Sequence, residues 1–490
     1  MKKISNIHFL LFFVFLSRIL LLSKSPAFFD SPEYLSLATE PSALEALKKA
    51  HYPIHPLYIF ASWLFFRIPL SVSSFYKLEF LSAISGTVLV WVIYLCLKEY
   101  FDKKKSLLIS LAVSLLPYFW LSQINILYEP FLMLLQAFSF YFLIKYFKKE
   151  NLLSILLSGV FLMLSLLVST TSLFFLAFMF VFAVLEKKIM VFKLTLYFPF
   201  LFLCFFIYLF VMSLRGIPWQ DFWKVFTSSN SLLGKIESER FMFFVRAIRN
   251  SLVVFIYHLT LPLSALSVVL LIKQGSKLKE NFFAKNNTKR IGFFLVWLAL
   301  FLIINSYWHA GMFGRISMMF TLFPFIILAN HIFSKKRIYG FLLLSFLLVS
   351  SFFKVIPYCL TQVPYYEEKI FLGKTEKRTL VVSNYEEPYL CAESDCLVLN
   401  SPKTDKEILL RRIDDLLKEN ERVLMTSQAV SAPYNQYDGM HYHILSKRRV
   451  YPKTLGEEIA EKYRLKLIKQ WPQKNLKVYQ LKKPEETIRQ

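Results

Sequence analysis

The sequence predicts a polytopic α-helical membrane protein with about eleven transmembrane helices, followed by a small α/β domain. Two features of the composition predict this fold class: 56% of the residues are hydrophobic, and only 19% are charged. Average proteins contain ~45–50% apolar and ~25% charged residues. The apolar residues also form blocks of about the ~20 residues that a helix needs to cross a bilayer. Together these features argue against a water-soluble globule.

Eleven apolar blocks of spanning length follow one another along the first 356 residues. They are predicted at 7–23, 77–97, 106–124, 128–147, 152–168, 170–185, 191–213, 250–272, 291–307, 315–333 and 338–356. A further block at 54–70 contains Arg67 and Pro69, which suit an interfacial helix better than the centre of a bilayer. We therefore expect 54–70 to lie in the interface or to re-enter the membrane without crossing it.

The basic residues orient the chain and account for its charge. Residues 1–356 contain 35 basic and 14 acidic side chains, whereas residues 357–490 carry a net charge of only +4. If 54–70 does not cross, 21 of those 35 basic residues lie at the N-terminus and in loops that follow even-numbered spans. The positive-inside rule makes these loops cytoplasmic. The protein is thus predicted in the plasma membrane, with residues 24–76, 214–249 and 357–490 extracytoplasmic and with no nucleic-acid partner.

From residue 357 onward, the sequence consists of short β-rich runs that alternate with helical patterns. This alternation predicts a small α/β domain over 357–490. Strands are expected at 379–383, 396–400, 422–426 and 476–479, and one helix over 405–420. Cys391 and Cys396 either pair in an oxidising compartment or remain free thiols. No cysteine or histidine spacing indicates a metal, so we expect no cofactor and leave a divalent metal open.

Ionisable side chains cluster near the predicted outer surface. Asp30 and Glu33 follow the first span directly, and a hydrated carboxylate there suits a general base. The alternative is that one of them caps a helix that begins near Pro32. Two histidines, His51 and His55, come next in a proline-rich stretch, where they either have a functional role or cap and snorkel at the interface.

Five short motifs, taken together, resemble the glycosyltransferase C superfamily, and most closely its bacterial family related to protein O-mannosyltransferases. They are Asp30-Ser-Pro-Glu33-Tyr34, the stretch from His51 to Pro56-Leu57-Tyr58, Lys77 ahead of Leu81-Ser-Ala-Ile-Ser-Gly86, Tyr128-Glu129-Pro130, and Gly314-Arg315-Ile316-Ser317. The sequence departs from the family pattern at Pro32, Tyr52, Ile54 and His55, and at Lys77, where the family has arginine.

The resemblance implies a membrane glycosyltransferase that takes a mannose-like hexose from a polyprenyl-phosphate donor and transfers it, with inversion, to a hydroxyl of a protein, lipid or glycan acceptor. Asp30 is then the catalytic base, with Glu33 as the second candidate. Lys77 and Arg315 bind the donor phosphate, or else act as snorkelling anchors. The sugar or acceptor pocket contains Tyr34, His51, His55 and Glu129. A lipid-linked sugar transporter and a non-catalytic cell-envelope assembly protein remain the alternative functions.

Overall fold

The structure is a computed structural model of the 490-residue chain. It describes residues 6–23, 31–50, 55–186, 195–218, 240–274, 295–303, 318–360, 371–372, 379–383, 397–400, 406–419, 421–427, 459, 461–471 and 476–483. The chain divides into two compact units. The first comprises Met1–Ser23 and Pro41–Cys359, and the second comprises Lys24–Glu40 and Leu360–Gln490. Residues 24–40, predicted as part of the first outer loop, therefore group with the C-terminal residues.

Helices make up most of the described chain, and we number them along the sequence. They are α1 (Asn6–Leu20), α2 (Ser31–Thr39), α3 (Ala43–Lys49), α4 (Pro56–Phe66), α5 (Ser74–Lys98), α6 (Lys103–Ser114), α7 (Pro117–Gln123), α8 (Glu129–Lys149), α9 (Leu152–Val168), α10 (Ser172–Glu186), α11 (Phe198–Leu214), α12 (Arg240–Leu259), α13 (Leu261–Gln274), α14 (Met318–Phe333), α15 (Arg337–Leu360) and α16 (Lys406–Lys418). Residues 295–303 are helical as well.

The apolar helices agree with the predicted spans in position. Four of the described helices are long and apolar enough to cross a membrane alone: Phe75–Lys98, Glu129–Lys149, Thr195–Leu214 and Arg337–Ile356. Two bent pairs, α6 with α7 and the inner parts of α12 and α13, raise this number to six. Shorter apolar helices occupy four further predicted spans and the ambiguous 54–70 block. The chain is therefore a polytopic helical membrane protein, and eleven spans stays a prediction.

The predicted span 106–124 is a broken helix whose halves, α6 and α7, meet at 70°. Pro117 begins α7, and proline has no N–H to continue the hydrogen bonding of α6. The carbonyl groups freed at the break find side-chain partners instead. The Ser114 carbonyl accepts a hydrogen bond from the Arg18 guanidinium, and the Leu115 carbonyl accepts one from the Ser351 hydroxyl. Side chains from α1 and α15 thus stabilise the break.

Arg18 also connects the break to the surrounding helices. Its side chain is only 1% exposed, its Nε donates to Gln123 Oε1 at 2.9 Å, and its guanidinium lies 4.3 Å from the centre of the Trp120 ring. Gly86 of α5 lies against the same glutamine, because a Cβ atom at that position would come within 2.3 Å of Gln123 Cδ. The close approach of α5 to α7 therefore requires glycine at this position.

One end of the first unit is basic and held together by polar contacts. Glu99, after α5, pairs with Lys145 at 2.8 Å and with Lys148 at 3.1 Å, both on α8. Burial alone would raise the pKa of the Glu99 carboxyl, but the hydrogen bonds from the two lysines outweigh burial and lower it. Lys105 Nζ donates to Ser334 Oγ at 3.1 Å, which joins the start of α6 to the segment after α14. Three predicted cytoplasmic loops therefore lie at the same end.

The second unit contains a five-stranded sheet in the order β2-β1-β3-β5-β4. Its strands are β1 (Leu380–Ser383), β2 (Leu397–Asn400), β3 (Val423–Thr426), β4 (Arg464–Trp471) and β5 (Leu476–Lys482). β1 pairs in parallel with β2 and β3, whereas β5 pairs antiparallel with β3 and β4. Leu409 and Ile413 of α16 pack into the core that β1 and β3 form. The predicted strands and helix match β1, β2, β3, β5 and α16, and β4 was not predicted.

Candidate active site

Of the two carboxylates of the first motif, only Glu33 lies among the residues that the structure describes. Asp30 lies outside them, as do His51 and Arg315. Glu33 and Tyr34 lie on α2, in the second unit, and are 4% and 2% exposed. Glu33 occupies the first turn of α2, where a carboxylate interacts favourably with the positive end of the helix dipole. The location of Glu33 is thus compatible with the helix-stabilising alternative considered for this motif.

His55 and Glu129 lie in the first unit and are connected through Tyr128. His55 immediately precedes α4, and its ring stacks on the ring of Tyr128 with centroids 4.2 Å apart. Its Nδ1 atom lies 2.6 Å from the carbonyl oxygen of Val168, at the end of α9. Glu129 is the first residue of α8 and is only 1% exposed. The structure therefore brings two of the predicted pocket residues to the same place.

Tyr58 and Ser82 extend this arrangement. The Tyr58 ring is fully buried and meets the Tyr128 ring edge-on at 6.2 Å. The Tyr58 hydroxyl is close enough to the Glu129 carboxylate for the two groups to interact electrostatically. Ser82 Oγ donates to the carbonyl of Leu127 at 3.2 Å, which fixes α5 against the segment before α8. We call the residues His55, Tyr58, Ser82, Tyr128 and Glu129 the polar cluster.

Glu79 is a second buried carboxylate that the sequence reasoning missed. It lies on α5 about one turn before Ser82 and is fully buried. Within the described part of the chain, neither of its carboxylate oxygens has a hydrogen-bond partner. An acidic side chain within a membrane-spanning helix is costly to bury and is therefore a candidate functional residue. The available signal was a single acid inside the apolar block 77–97.

Lys77 is bound to backbone carbonyls at the end of α4. Its Nζ donates to the carbonyl oxygens of Phe66 at 3.1 Å and of Ile68 at 3.0 Å. Arg67 lies in the same region, with its guanidinium 3.8 Å from the centre of the Trp63 ring. Two cations therefore surround the C-terminal end of α4, where positive charge also complements the helix dipole. The phosphate-binding role of Lys77 stays a prediction.

The described residues contain no group of three or more His, Cys, Asp or Glu side chains that could hold a metal ion. Cys96, Cys204 and Cys359 are free thiols. Cys391 and Cys396, for which the sequence left pairing open, lie outside the described residues. The polar groups that the structure brings together in this part of the chain are the carboxylate, hydroxyl and imidazole groups of the polar cluster.

Residues 51–214 match a protein family described as dolichyl-phosphate-mannose-protein mannosyltransferase. The matched segment contains the whole polar cluster together with Lys77 and Glu79. The comparison with curated proteins gave no match.

Several solved structures share the fold at low sequence identity. ArnT from Cupriavidus metallidurans bound to undecaprenyl phosphate is 8% identical, with a TM-score of 0.59 and coverage of 97% of both chains. The Archaeoglobus fulgidus oligosaccharyltransferase in complex with zinc and sulfate is 12% identical, with a TM-score of 0.56, and the alignment covers 97% of this chain and 73% of that one. AglB from the same organism, with an inhibitory peptide and a dolichol-phosphate, is 11% identical, with a TM-score of 0.52 and coverage of 98% and 74%.

The fold and the buried polar cluster define a polytopic helical membrane protein whose fold is shared with ArnT and with the archaeal oligosaccharyltransferase. Residues 51–214, about a third of the chain, carry the sequence pattern of the dolichyl-phosphate-mannose-protein mannosyltransferase family. These findings confirm the resemblance that the motifs indicated.

Proposed function

We propose that the protein transfers a mannose-like hexose, with inversion, from a polyprenyl-phosphate donor to an acceptor hydroxyl outside the cytoplasm. The observation that carries this proposal is the family match over residues 51–214, the segment that contains the polar cluster. The fold likeness adds support, because ArnT was solved with undecaprenyl phosphate and AglB with a dolichol-phosphate. A lipid-linked donor also fits an outward-facing site, since nucleotide sugars stay in the cytoplasm.

The proposed reaction assigns one proton transfer and one displacement to the chain. Asp30 accepts the proton of the acceptor hydroxyl, and the resulting oxygen attacks the anomeric carbon. The bond from that carbon to the donor phosphate breaks, and the phosphate leaves with the electron pair. Lys77 and Arg315 stabilise the negative charge on the departing phosphate. Glu33 is the second candidate for the base.

Sugar recognition is assigned to the polar side chains around the acceptor and donor. Carboxylates and imidazoles bind sugar hydroxyls as hydrogen-bond acceptors. Glu129 and His55 supply such groups within the polar cluster, and the motifs predict the same role for Tyr34 and His51. Glu79 adds a further buried carboxylate on the same helix as Ser82.

A direct test separates the enzyme from a transporter and from a non-catalytic assembly protein. Purified protein is reconstituted with polyprenyl-phosphate mannose and an acceptor extract, and the release of polyprenyl phosphate is measured. An enzyme releases the lipid phosphate in step with sugar transfer. A transporter moves the intact donor across the bilayer without cleaving it, and an assembly protein does neither. Absence of release with each polyprenyl-phosphate hexose tested would contradict the proposal.

Lys77→Gln is expected to weaken apparent donor affinity by about tenfold, which corresponds to the loss of one charge-assisted hydrogen bond of ~1.5 kcal/mol. Arg315→Gln is expected to do the same. Arg67→Gln serves as the control, because it removes a cation from the same end of α4 without touching the proposed phosphate ligands. The measurement is donor titration of the purified variants. Unchanged affinity in Lys77→Gln would restrict this lysine to the carbonyl contacts with Phe66 and Ile68.

Membrane topology is tested by labelling single cysteines with an impermeant reagent in intact cells that carry a protein without native thiols. Leu44 and Glu419 are exposed positions in the predicted extracytoplasmic segments 24–76 and 357–490, and Lys104 is an exposed position in a predicted cytoplasmic loop. We expect Leu44→Cys and Glu419→Cys to label in intact cells and Lys104→Cys to label only after permeabilisation. Opposite behaviour of Leu44→Cys and Glu419→Cys would mean that 54–70 crosses the membrane.

A further inference from the structure

The first unit contains an apolar cavity of about 110 Å³ between α5, α8, α10 and α14. A cavity of only ~10–15 Å³ can hold one water molecule. Its walls are nearly free of polar groups, and they include Cys96, Ala137, Phe140, Phe178 and Met319. Ordered water requires two to four polar partners, so this cavity suits an apolar occupant.

The cavity lies toward the basic end of the unit. Its α5 wall consists of Ile93, Cys96 and Leu97, in the last turns of that helix, and Tyr100 just beyond. Lys148 Nζ lies 5.2 Å from the centre of the Tyr100 ring, so an ammonium group contacts a side chain that also lines the cavity. Lys145 shares the carboxylate of Glu99 with Lys148.

The charge at this end is strongly positive. Lys98 ends α5, α8 ends with two lysines, and the segment 335–337 after α14 is Lys-Lys-Arg. The acidic residues at this end are fewer: Glu99, which pairs with Lys145 and Lys148, Asp102 and Glu150. Basic pockets between transmembrane helices on the cytoplasmic side are typical binding sites for anionic lipid headgroups.

We propose that the cavity binds one alkyl chain of an anionic phospholipid, whose phosphate lies among the lysines at the C-terminal ends of α5 and α8. The apolar walls recognise the alkyl chain, and Lys148 contacts the cavity-lining residue Tyr100. The lipid fills space between four helices that would otherwise be empty, and its headgroup offsets the positive charge where their ends meet.

The glycosyl donor does not fit this position. Its phosphate is assigned to Lys77, in the first turn of α5, whereas the cavity borders Cys96 near the end of the same helix. Nineteen residues of helix separate the two positions, which corresponds to about 28 Å along the axis. The two lipids therefore place their phosphates at opposite ends of α5, a separation that rests on the donor site proposed at Lys77.

Photocrosslinking in vesicles tests the proposal. The full chain is reconstituted with phosphatidylglycerol or phosphatidylcholine that carries a diazirine in one acyl chain, and crosslinked peptides are identified by mass spectrometry. We expect phosphatidylglycerol to label peptides from α5, α8 and α10 at the cavity. Ala137→Phe fills the cavity and should lower this labelling by at least ~5-fold, because a close-packed site leaves no room for the acyl chain of the lipid. Ala265→Phe, at an exposed position of α13, is the matched control and should label normally.

A second pair of variants tests the headgroup. Lys148→Gln should weaken labelling by phosphatidylglycerol, and Lys149→Gln, one residue away and exposed, should weaken it less. Met319→Trp fills the cavity from α14 and replaces Ala137→Phe if that variant does not fold. Equal labelling of wild type and a folded cavity-filling variant would overturn the site. Equal labelling by phosphatidylcholine would overturn the anionic headgroup, and displacement by a photoreactive polyprenyl phosphate would assign the cavity to the donor instead.

Discussion

Asp30→Asn is expected to lower turnover at least ~100-fold, the usual scale for removal of a general base. Membrane insertion and donor affinity should stay near those of the wild type. Asparagine is nearly isosteric with aspartate and keeps the side-chain oxygen that a helix cap requires, but it cannot accept the acceptor's proton. The variant therefore separates a catalytic role from a capping role. The measurement is release of polyprenyl phosphate per protein molecule at saturating donor.

Glu33→Gln is the matched variant for this experiment, because Glu33 lies on the first turn of α2 and is the second candidate base. We expect it to retain most of the turnover. The reverse pattern, with near-normal turnover in Asp30→Asn and loss in Glu33→Gln, would transfer the role to Glu33. Near-normal turnover in both variants would make the motif a structural feature of the start of α2.

Arg18→Met should destabilise the protein by about 2–6 kcal/mol, since burying two unsatisfied acceptors costs ~1–3 kcal/mol each. Methionine fills a similar volume, but it leaves the Ser114 carbonyl and Gln123 Oε1 without the donor they have in the structure. It also removes the guanidinium from the Trp120 ring. The measurement is thermal unfolding in detergent, followed by the loss of the monodisperse species.

Arg67→Met is a well-matched control for Arg18→Met. Both arginines stack on a tryptophan, at 4.3 Å for Arg18 and 3.8 Å for Arg67. Arg18 is 1% exposed, whereas Arg67 is exposed. The cation–π contact of an exposed arginine contributes ~0.5–1 kcal/mol to the free energy of unfolding. A similar thermal shift in both variants would mean that the stacking, and not the hydrogen bonds at the α6–α7 break, accounts for the effect.

The positions of the helices could be predicted from the sequence because each apolar block carries its own signal. The helix Pro56–Phe66 lies within the block 54–70, and the strands β1, β2, β3 and β5 follow the β-rich runs. The break at Leu115 and Leu116 was missed although Pro117 marks it, because the apolar pattern continues across the proline. β4 was missed because Arg464, Lys466 and Lys469 interrupt its apolar residues, as expected for a strand that is largely exposed.

The candidate site was predicted less completely because its residues meet only in three dimensions. His55 and Glu129 were found through their motifs, but nothing in the sequence showed that Tyr128 connects them. Glu79 was passed over because one acid hardly changes the average hydropathy of a long block. Lys77 was interpreted from its place in a motif, and its contacts with the carbonyls of Phe66 and Ile68 depend on how the chain turns after α4.

The α6–α7 break also has a consequence for biogenesis. Irregular backbone is tolerated at membrane depth only where protein surrounds it, and α7 is buried along its whole length. Its neighbours include α12, and the Leu115 carbonyl bonds to Ser351 of α15, both of which are translated much later than α7. A nascent chain released before residue 351 therefore carries an unsatisfied carbonyl inside the bilayer. Synthesis of α15 therefore completes the hydrogen bonding of the α6–α7 break, and chains truncated before it should be favoured substrates for membrane proteases.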